Sequence, residues 1–195
     1  GLAGALLACS LGLAAGVSAG YFGGWTDRIL MRFCEFLIMV PALYFLLALR
    51  SILPPDLPAE RVVFLVVIVL SGIGWGGIAR VVRGMVLSIR KREFIEASRA
   101  LGRSHGFILL RHVMPHTFSY TVVMLSLSVP GYIVAESALS VLGLGIQEPA
   151  VSWGSLLSEA LSIPHLTLYP WLLIPGGFIA FTAFCCYAAA DGLRA

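Results

Sequence analysis

The residues that could do chemistry in this chain are few and scattered. Nucleophilic catalysis needs a base within hydrogen-bond reach of the nucleophile, and a metal site needs several donors at ligand spacing. The 195 residues offer no convincing arrangement of either kind. Cys9, Cys34, Cys185 and Cys186 all sit in apolar runs without zinc-type spacing, and they read as small apolar residues. The single lysine, Lys91, has no glycine-rich loop ahead of it, so there is no Walker A sequence and no means of hydrolysing ATP alone. Neither an enzyme nor a bound cofactor is expected. Two carboxylates, Glu35 and Glu136, stand inside long apolar runs, where ionisable side chains usually face a bundle interior or a water-filled path. Glu35 lies one helical turn from Arg32 and is placed to pair with it or with Arg28. Glu136 faces either a water-filled path, a neighbouring helix or a membrane interface.

The third chemical feature is a continuous polar stretch, "EASRALGRSHGFILLRHVMPH", from Glu96 to His116. It reads as two short helices joined at a turn. Phe94, Ala97, Ser98 and Leu101 fall at helical spacing and make a narrow apolar stripe. Gly102 is a natural position for positive φ at a helix end, and Ser104 can cap the next helix. Phe107, Leu110, Arg111 and Met114 continue the helical pattern until Pro115, which is expected to stop it. Two readings of this basic segment stand side by side. It could lie on anionic lipid, or it could project as a docking element into a groove on a soluble partner.

The elements that must position these residues are read from the surrounding hydrocarbon. The chain is 59% hydrophobic and 12% charged, against about 45–50% and roughly 25% for a soluble domain. Five apolar segments are each near the ~20 residues needed to cross a bilayer: Leu2–Phe22, Leu30–Leu53, Val62–Val82, Thr117–Leu144 and Leu168–Ala190. The expected fold is therefore all-α, a polytopic transmembrane helical bundle forming one domain over residues 1–195. Residues 83–116 form a cytoplasmic loop and residues 145–167 an outer one. Pro41, Pro130–Gly131 and the glycines at 72, 74, 76 and 77 interrupt the spans, serving as kinks, close-packing positions or hinges. The chain opens at Gly1 with its first methionine at Met31, which suggests a start inside a longer protein; Gly1–Phe22 lacks the basic n-region of a signal peptide.

Charge sets the orientation. With Glu96 in the cytoplasm, Arg28, Arg32, Arg80, Arg83, Arg90, Lys91, Arg92, Arg99, Arg103, Arg111 and Arg194 fall on or near the inner side, and only Arg50 and Arg61 on the outer. That bias satisfies the positive-inside rule and puts the C-terminus in the cytoplasm. A net charge of +3 is too small to indicate nucleic acid. In the outer loop Trp153, Leu156, Leu157, Ala160 and Leu161 make a helical stripe, read as a short interfacial helix anchored by Trp153.

The polar stretch also resembles a known pattern. Glu96-Ala97-Ser98, three residues, Gly102, nine residues to Arg111, then His112-Val113-Met114-Pro115 is similar to the EAA loop of ATP-binding-cassette importer permeases. "YFGGWTDRILMR", "ARVVRGMVLSIRKREFIEASRALG", "AESALSVLGLGIQEPAVSWGSLLSEA" and the terminal "DGLR" resemble the dipeptide/oligopeptide/nickel branch of that family. "FLLALRSILPPDLPAERV" follows the family pattern only loosely. The resemblance implies the type I importer permease fold, with a first span preceding the part present here, in a bacterial cytoplasmic (inner) membrane. It implies ATP-binding-cassette ATPase subunits docked on Glu96–Gly102, a second related permease subunit, and an extracytoplasmic substrate-binding protein. In that scheme Glu96 caps or orients the coupling helix, and Ala97 and Ser98 allow close approach. Gly102 makes the turn and Pro115 fixes entry into the next span. A secondary transporter or channel without an ATPase is the rival reading. It gives no reason for the Glu96–Pro115 pattern and more often carries inverted repeats, which are not found. A non-transporting membrane scaffold is a third.

Overall fold

The structure is a computed structural model. It describes residues 1–41, 44–45, 47–48, 52, 58–143, 145–146, 150–161 and 167–193. Among these every regular element is helical, and the long ones are α1 (Leu2–Phe22), α2 (Gly24–Met39), α3 (Ala59–Ile89), α6 (Met114–Val141) and α8 (Ile174–Gly192). Between α3 and α6 lie α4 (Glu93–Ala100) and α5 (His105–Ile108), and between α6 and α8 lies α7 (Trp153–Glu159). Four helical stretches are long and apolar enough to cross a membrane: Leu2–Phe22, Glu60–Ile89, His105–Val141 and Pro170–Gly192. Of the expected span Leu30–Leu53, α2 supplies the first part, and it ends at Met39, two residues before Pro41, with Val40 extended, as steric pressure from a following proline demands. Half of the remainder lies outside the described residues.

The backbone divides into two compact units. One comprises residues 6–40 and 72–125, the other residues 1–5, 41–71 and 126–195. In the first, α1 lies against α3 along a seam of small residues. Gly12, Gly16 and Gly20 recur every fourth position on one face of α1. A Cβ on Gly16 would stand 2.6 Å from the Ala79 carbonyl oxygen and 2.7 Å from Val82 Cβ; one on Gly20 would stand 2.7 Å from Val86 Cβ and 2.9 Å from the Arg83 carbonyl. In hydrocarbon there is little hydrophobic drive for one apolar helix to seek another, and close backbone approach between small residues supplies the dispersion contacts instead. Ala8, Ala19, Ile78, Ala79, Val82 and Val86 are buried in this unit. Helix α2 joins α3 where Gly76 meets the Cys34 backbone and the Phe33 and Trp75 rings sit 5.9 Å apart.

In the second unit Val62, Val66, Leu70 and Leu139 form the buried cluster, with Tyr132 and Ala135 packed against it. Gly154 of α7 lies against the Ser137 backbone, and Trp153 stacks on Phe178 of α8 with ring centroids 6.2 Å apart. Trp153 is thus held by a ring of the protein itself rather than serving only as a lipid anchor.

Two expected boundaries move. Helix α3 runs seven residues past Val82, so the loop that follows it begins beyond Ile89. Pro115 does not stop a helix: the chain is helical without a break from His105 to Val141. The reason is a widened turn at Leu109–Val113, where the Met114 N–H bonds the Leu109 carbonyl five residues back. A π-type turn relaxes the i−4 spacing immediately before the proline, whose missing donor and ring would otherwise break the ladder.

The seam predicts a graded response. Gly16→Val should destabilise the solubilised protein by about 2 kcal/mol, the scale of overpacking against a backbone that has nowhere to move. Gly77→Ala, where an added Cβ meets nothing within 4 Å, should be neutral or slightly stabilising. Thermal melting of both variants in one detergent checks the contrast.

Candidate functional site

The polar segment is built as a capped, anchored helix. Helix α3 ends in a turn whose Arg92 N–H bonds the Ile89 carbonyl, and Arg92 then adopts the extended conformation of an N-cap. No side chain caps α4 at this end; Glu93 and Glu96 stand in its first turn and Arg99 in its last. All three charges complement the helix dipole. Glu96 thus acts by charge at the N-terminus, not as a side-chain cap. At the other end Gly102 has φ +71°, its N–H bonds the Arg99 carbonyl, and the Arg103 N–H bonds the Ser98 carbonyl. This is a complete Schellman closure, which needs a residue at ease with positive φ. An added Cβ on Gly102 would touch nothing within 4 Å, so conformation and not space calls for glycine here. Ser104 caps α5 by accepting a hydrogen bond from the Phe107 N–H.

Burial divides the residues of α4. Ile95 is fully buried and Ser98 nearly so, whereas Glu96, Ala97, Ala100 and Leu101 face outward, Leu101 at 79% exposure. The stripe expected from Phe94, Ala97, Ser98 and Leu101 therefore splits. Ile95 and Ser98 form the inner face, and Ala97 and Leu101 belong to the outer one. The inner face is tied to the following helix: Ser98 Oγ pairs with His112 Nε2 at 3.2 Å, and the Phe94 ring lies 5.8 Å from His112 and stacks at 5.5 Å on His116. Ile108, Val113 and Thr117 continue the buried side of that helix.

A second set of ties runs to the ends of α1 and α2. Tyr21 Oη pairs with His105 Nδ1 at 2.9 Å, and the Arg99 guanidinium sits 5.3 Å over the Tyr21 ring. Arg90 donates to the Gly20 carbonyl at 3.0 Å, satisfying one of the acceptors left open at the end of α1. Arg83 grips Asp27 with two parallel hydrogen bonds, Nε to Oδ1 and Nη2 to Oδ2, and the Asp27 side chain is only 18% exposed. Sequence reasoning missed Asp27, Arg83, Tyr21 and His105. Their separations of 56 and 84 residues leave no local signal.

The two carboxylates of the apolar runs, Glu35 and Glu136, fall in different surroundings. Glu35 pairs with Arg32 at 3.2 Å, as the spacing indicated, and also faces Arg80 at 3.9 Å. Glu136 lines a cavity of about 120 Å³ with Gly4, Val63, Val66, Leu70 and Tyr132, and accepts a 2.7 Å hydrogen bond from Ser140. The same Ser140 oxygen accepts from the Ile146 N–H and the Ser152 hydroxyl. Ser152 in turn caps α7 reciprocally with Ser155. Glu136 is thereby linked to α7 through one fully used hydroxyl.

The apolar chain thus carries a capped polar helix between two helices long and apolar enough to cross a membrane. The chain belongs to the family of binding-protein-dependent transport system inner membrane components, whose sequence profile matches residues 12–193. Its relatives include the oligopeptide transport system permease protein OppC of Haemophilus influenzae, 41% identical over 195 residues that make up 100% of this chain and 60% of that protein. The protein of the same name from Bacillus subtilis is 39% identical over 195 residues and 61% of its length. That of Escherichia coli K12 is 40% identical over 173 residues, 88% of this chain and 55% of that protein. The chain thus spans about three-fifths of the length of these relatives.

Gly102→Ala should weaken the closure of α4 by about 1 kcal/mol, and Gly102→Asn by less, since asparagine tolerates the left-handed region. Hydrogen exchange at the Gly102 and Arg103 amides should then be roughly fivefold faster in the alanine variant. Equal rates in wild type and variant would show that the closure does not hold this helix end.

Proposed function

We propose that this chain is a membrane-spanning part of a permease subunit in an ATP-driven, binding-protein-dependent importer, and that its cargo is peptide. The names of the relatives favour peptides over nickel chelates. The observation that carries the docking role is the outward face of α4. Ala97, Ala100 and Leu101 are small or apolar, they are exposed, and they sit on a helix fixed at both ends. A soluble ATPase subunit is the partner such a face suits. Ala97 and Ala100 permit close approach, Leu101 supplies a hydrophobic anchor, and Gly102, the widened turn at Leu109–Val113 and Pro115 beyond it hold the geometry. Closure of the ATPase pair on ATP would shift α4, and the ties to α1, α3 and α6 would convert that shift into alternating access, a two-state rigid-body change.

The charge bias supports a cytoplasmic location for α4 and for the C-terminus. One such bundle makes half a pathway, so a second, related permease chain is expected beside it. The outer helix α7 is the element proposed to meet an extracytoplasmic binding protein. Glu136 is the carboxylate proposed to face the pathway; its cavity of about 120 Å³ suits a few waters rather than a peptide, which fits a closed state.

Leu101→Glu in the full-length subunit, expressed with its partner subunits, tests the docking role. It should leave membrane insertion unchanged, reduce the ATPase that co-purifies by tenfold or more through loss of about 1.5–3 kcal/mol of burial, and abolish uptake of a labelled tripeptide. Normal uptake with a normal ATPase complement would refute it.

A further inference from the structure

Where α2 meets α3, four guanidiniums and two carboxylates surround an open hollow of about 320 Å³: Arg28, Arg32, Glu35 and Asp27 from α2, Arg80 and Arg83 from α3. The two carboxylates cannot balance the four cations. Asp27 is engaged by both hydrogen-bonding arms of Arg83. Glu35 is shared between Arg32 and Arg80, whose side chains remain 87% and 51% exposed. Among the described residues Arg28 makes no ion pair; its guanidinium rests 4.6 Å over the Trp25 ring. Two positive charges are left over, in a concave site that presents guanidinium donors.

The flank of this hollow is apolar and uncovered. Trp25, Ile29, Phe33 and Phe36 project from α2, and all are more than half exposed. Large exposed apolar side chains beside a cationic hollow, on a helix whose other end is continuous hydrocarbon, describe a place where headgroup and acyl chain are met together. The level along the membrane normal agrees. The charged end of α2 follows directly from the end of α1, which Arg90 and His105 bind at the level of α4. Arg80 stands ten residues before Arg90, about 15 Å higher on the same helix.

We infer that the Arg28–Arg32–Arg80 hollow is a binding site for the phosphate of an anionic phospholipid, with an acyl chain lying along Ile29, Phe33 and Phe36. Guanidinium forks match phosphate oxygens, and basic pockets between membrane helices recognise such headgroups. Arg83, locked onto Asp27, builds the wall of the site. The exposed cations, Arg28, Arg32 and Arg80, reach the ligand. The inference concerns a lipid rather than the cargo, so it stands whatever solute the importer carries.

The test is native mass spectrometry of the purified full-length subunit in its complex, after reconstitution with phosphatidylglycerol or with phosphatidylcholine. Wild type should retain phosphatidylglycerol selectively. Arg28→Gln should lower that retention about fivefold and Arg28→Gln with Arg32→Gln further, at roughly a factor of five per arginine, with phosphatidylcholine unaffected. The double substitution to lysine, which keeps the charge, should restore most of it. Should the double glutamine variant fail to assemble, the single Arg28→Gln variant, which breaks no ion pair, still decides. Equal retention of both lipids by wild type, or unchanged phosphatidylglycerol retention in Arg28→Gln, overturns the site. So does thermal stabilisation by inorganic phosphate alone that matches phosphatidylglycerol vesicles and vanishes in Arg28→Gln, because the occupant is then free phosphate and not lipid.

Discussion

The close approach of α1 to α3 is the constraint on which the rest of the first unit depends. Three glycines at four-residue spacing bring the two backbones together, with Gly16 against the Ala79 carbonyl and Gly20 against that of Arg83. Any side chain on that face would push the helices apart by the width of a methyl or more. The consequences appear at the ends. Only because Gly20 lies on α3 can Arg90, one turn beyond Val86, reach the Gly20 carbonyl. Only because α1 ends there does Tyr21 meet His105 across 84 residues of chain. A seam made of absent side chains thus sets the distance at which the polar contacts form.

Those contacts matter because α4 is too short to stand alone. An eight-residue helix falls well below the ~12–15 residues at which isolated helices become even marginal in water. Its order must come from outside: dipole-matched charges at both ends, the Schellman closure at Gly102, the buried Ile95, and the Ser98–His112 pair. Each is modest, at about 0.5–1.5 kcal/mol for a hydrogen bond or a cap. Together they leave the outward face, Ala97, Ala100 and Leu101, free of any structural task within the described residues. On the proposed docking, holding this helix firmly would spare ordering entropy on binding.

What could be read from the sequence was local. Gly102 at a helix end, Ser104 as a cap and Arg32 beside Glu35 are all decided within four residues, and the pattern of residue types carries them; the end of α2 ahead of Pro41 was not read, because the apolar run continues through the proline to Leu53. The all-α membrane architecture was equally legible, because a long apolar run has few alternatives in lipid. Contacts decided by tertiary packing were not legible. Arg83 read as one more inner-side charge and Asp27 drew no reading at all, and nothing in either neighbourhood announced a pair. The stripe through Phe94, Ala97, Ser98 and Leu101 matched the helical period, but period does not say which face is inward when the residues are this small. Ile95, one position off that stripe, was buried, and of the stripe itself only Ser98 was. Pro115 misled for a different reason: its propensity to end a helix is real, but a single widened turn ahead of it accommodated the ring.

That widened turn also bears on how movement would pass through the segment. Helix α4 has two mechanical routes into the membrane helices. One is short and stiff: through the Arg90–Arg92 turn into α3, braced by Arg90 on Gly20 and, farther up, by Arg83 on Asp27. The other runs through Ser98–His112 into Leu109–Val113, where the hydrogen-bond ladder steps from four residues to five. A turn with longer spacing next to a residue without an N–H is the weakest rung of an otherwise continuous helix. On the proposed docking, a displacement of Leu101 would therefore carry α1 and α3 together as one body, since their seam resists separation. The strain between that body and α6 would collect at Leu109–Pro115. On that reading the proline, two residues beyond the widened turn, does not end a helix but marks a place where the helix can bend while its lower turns stay attached to α4.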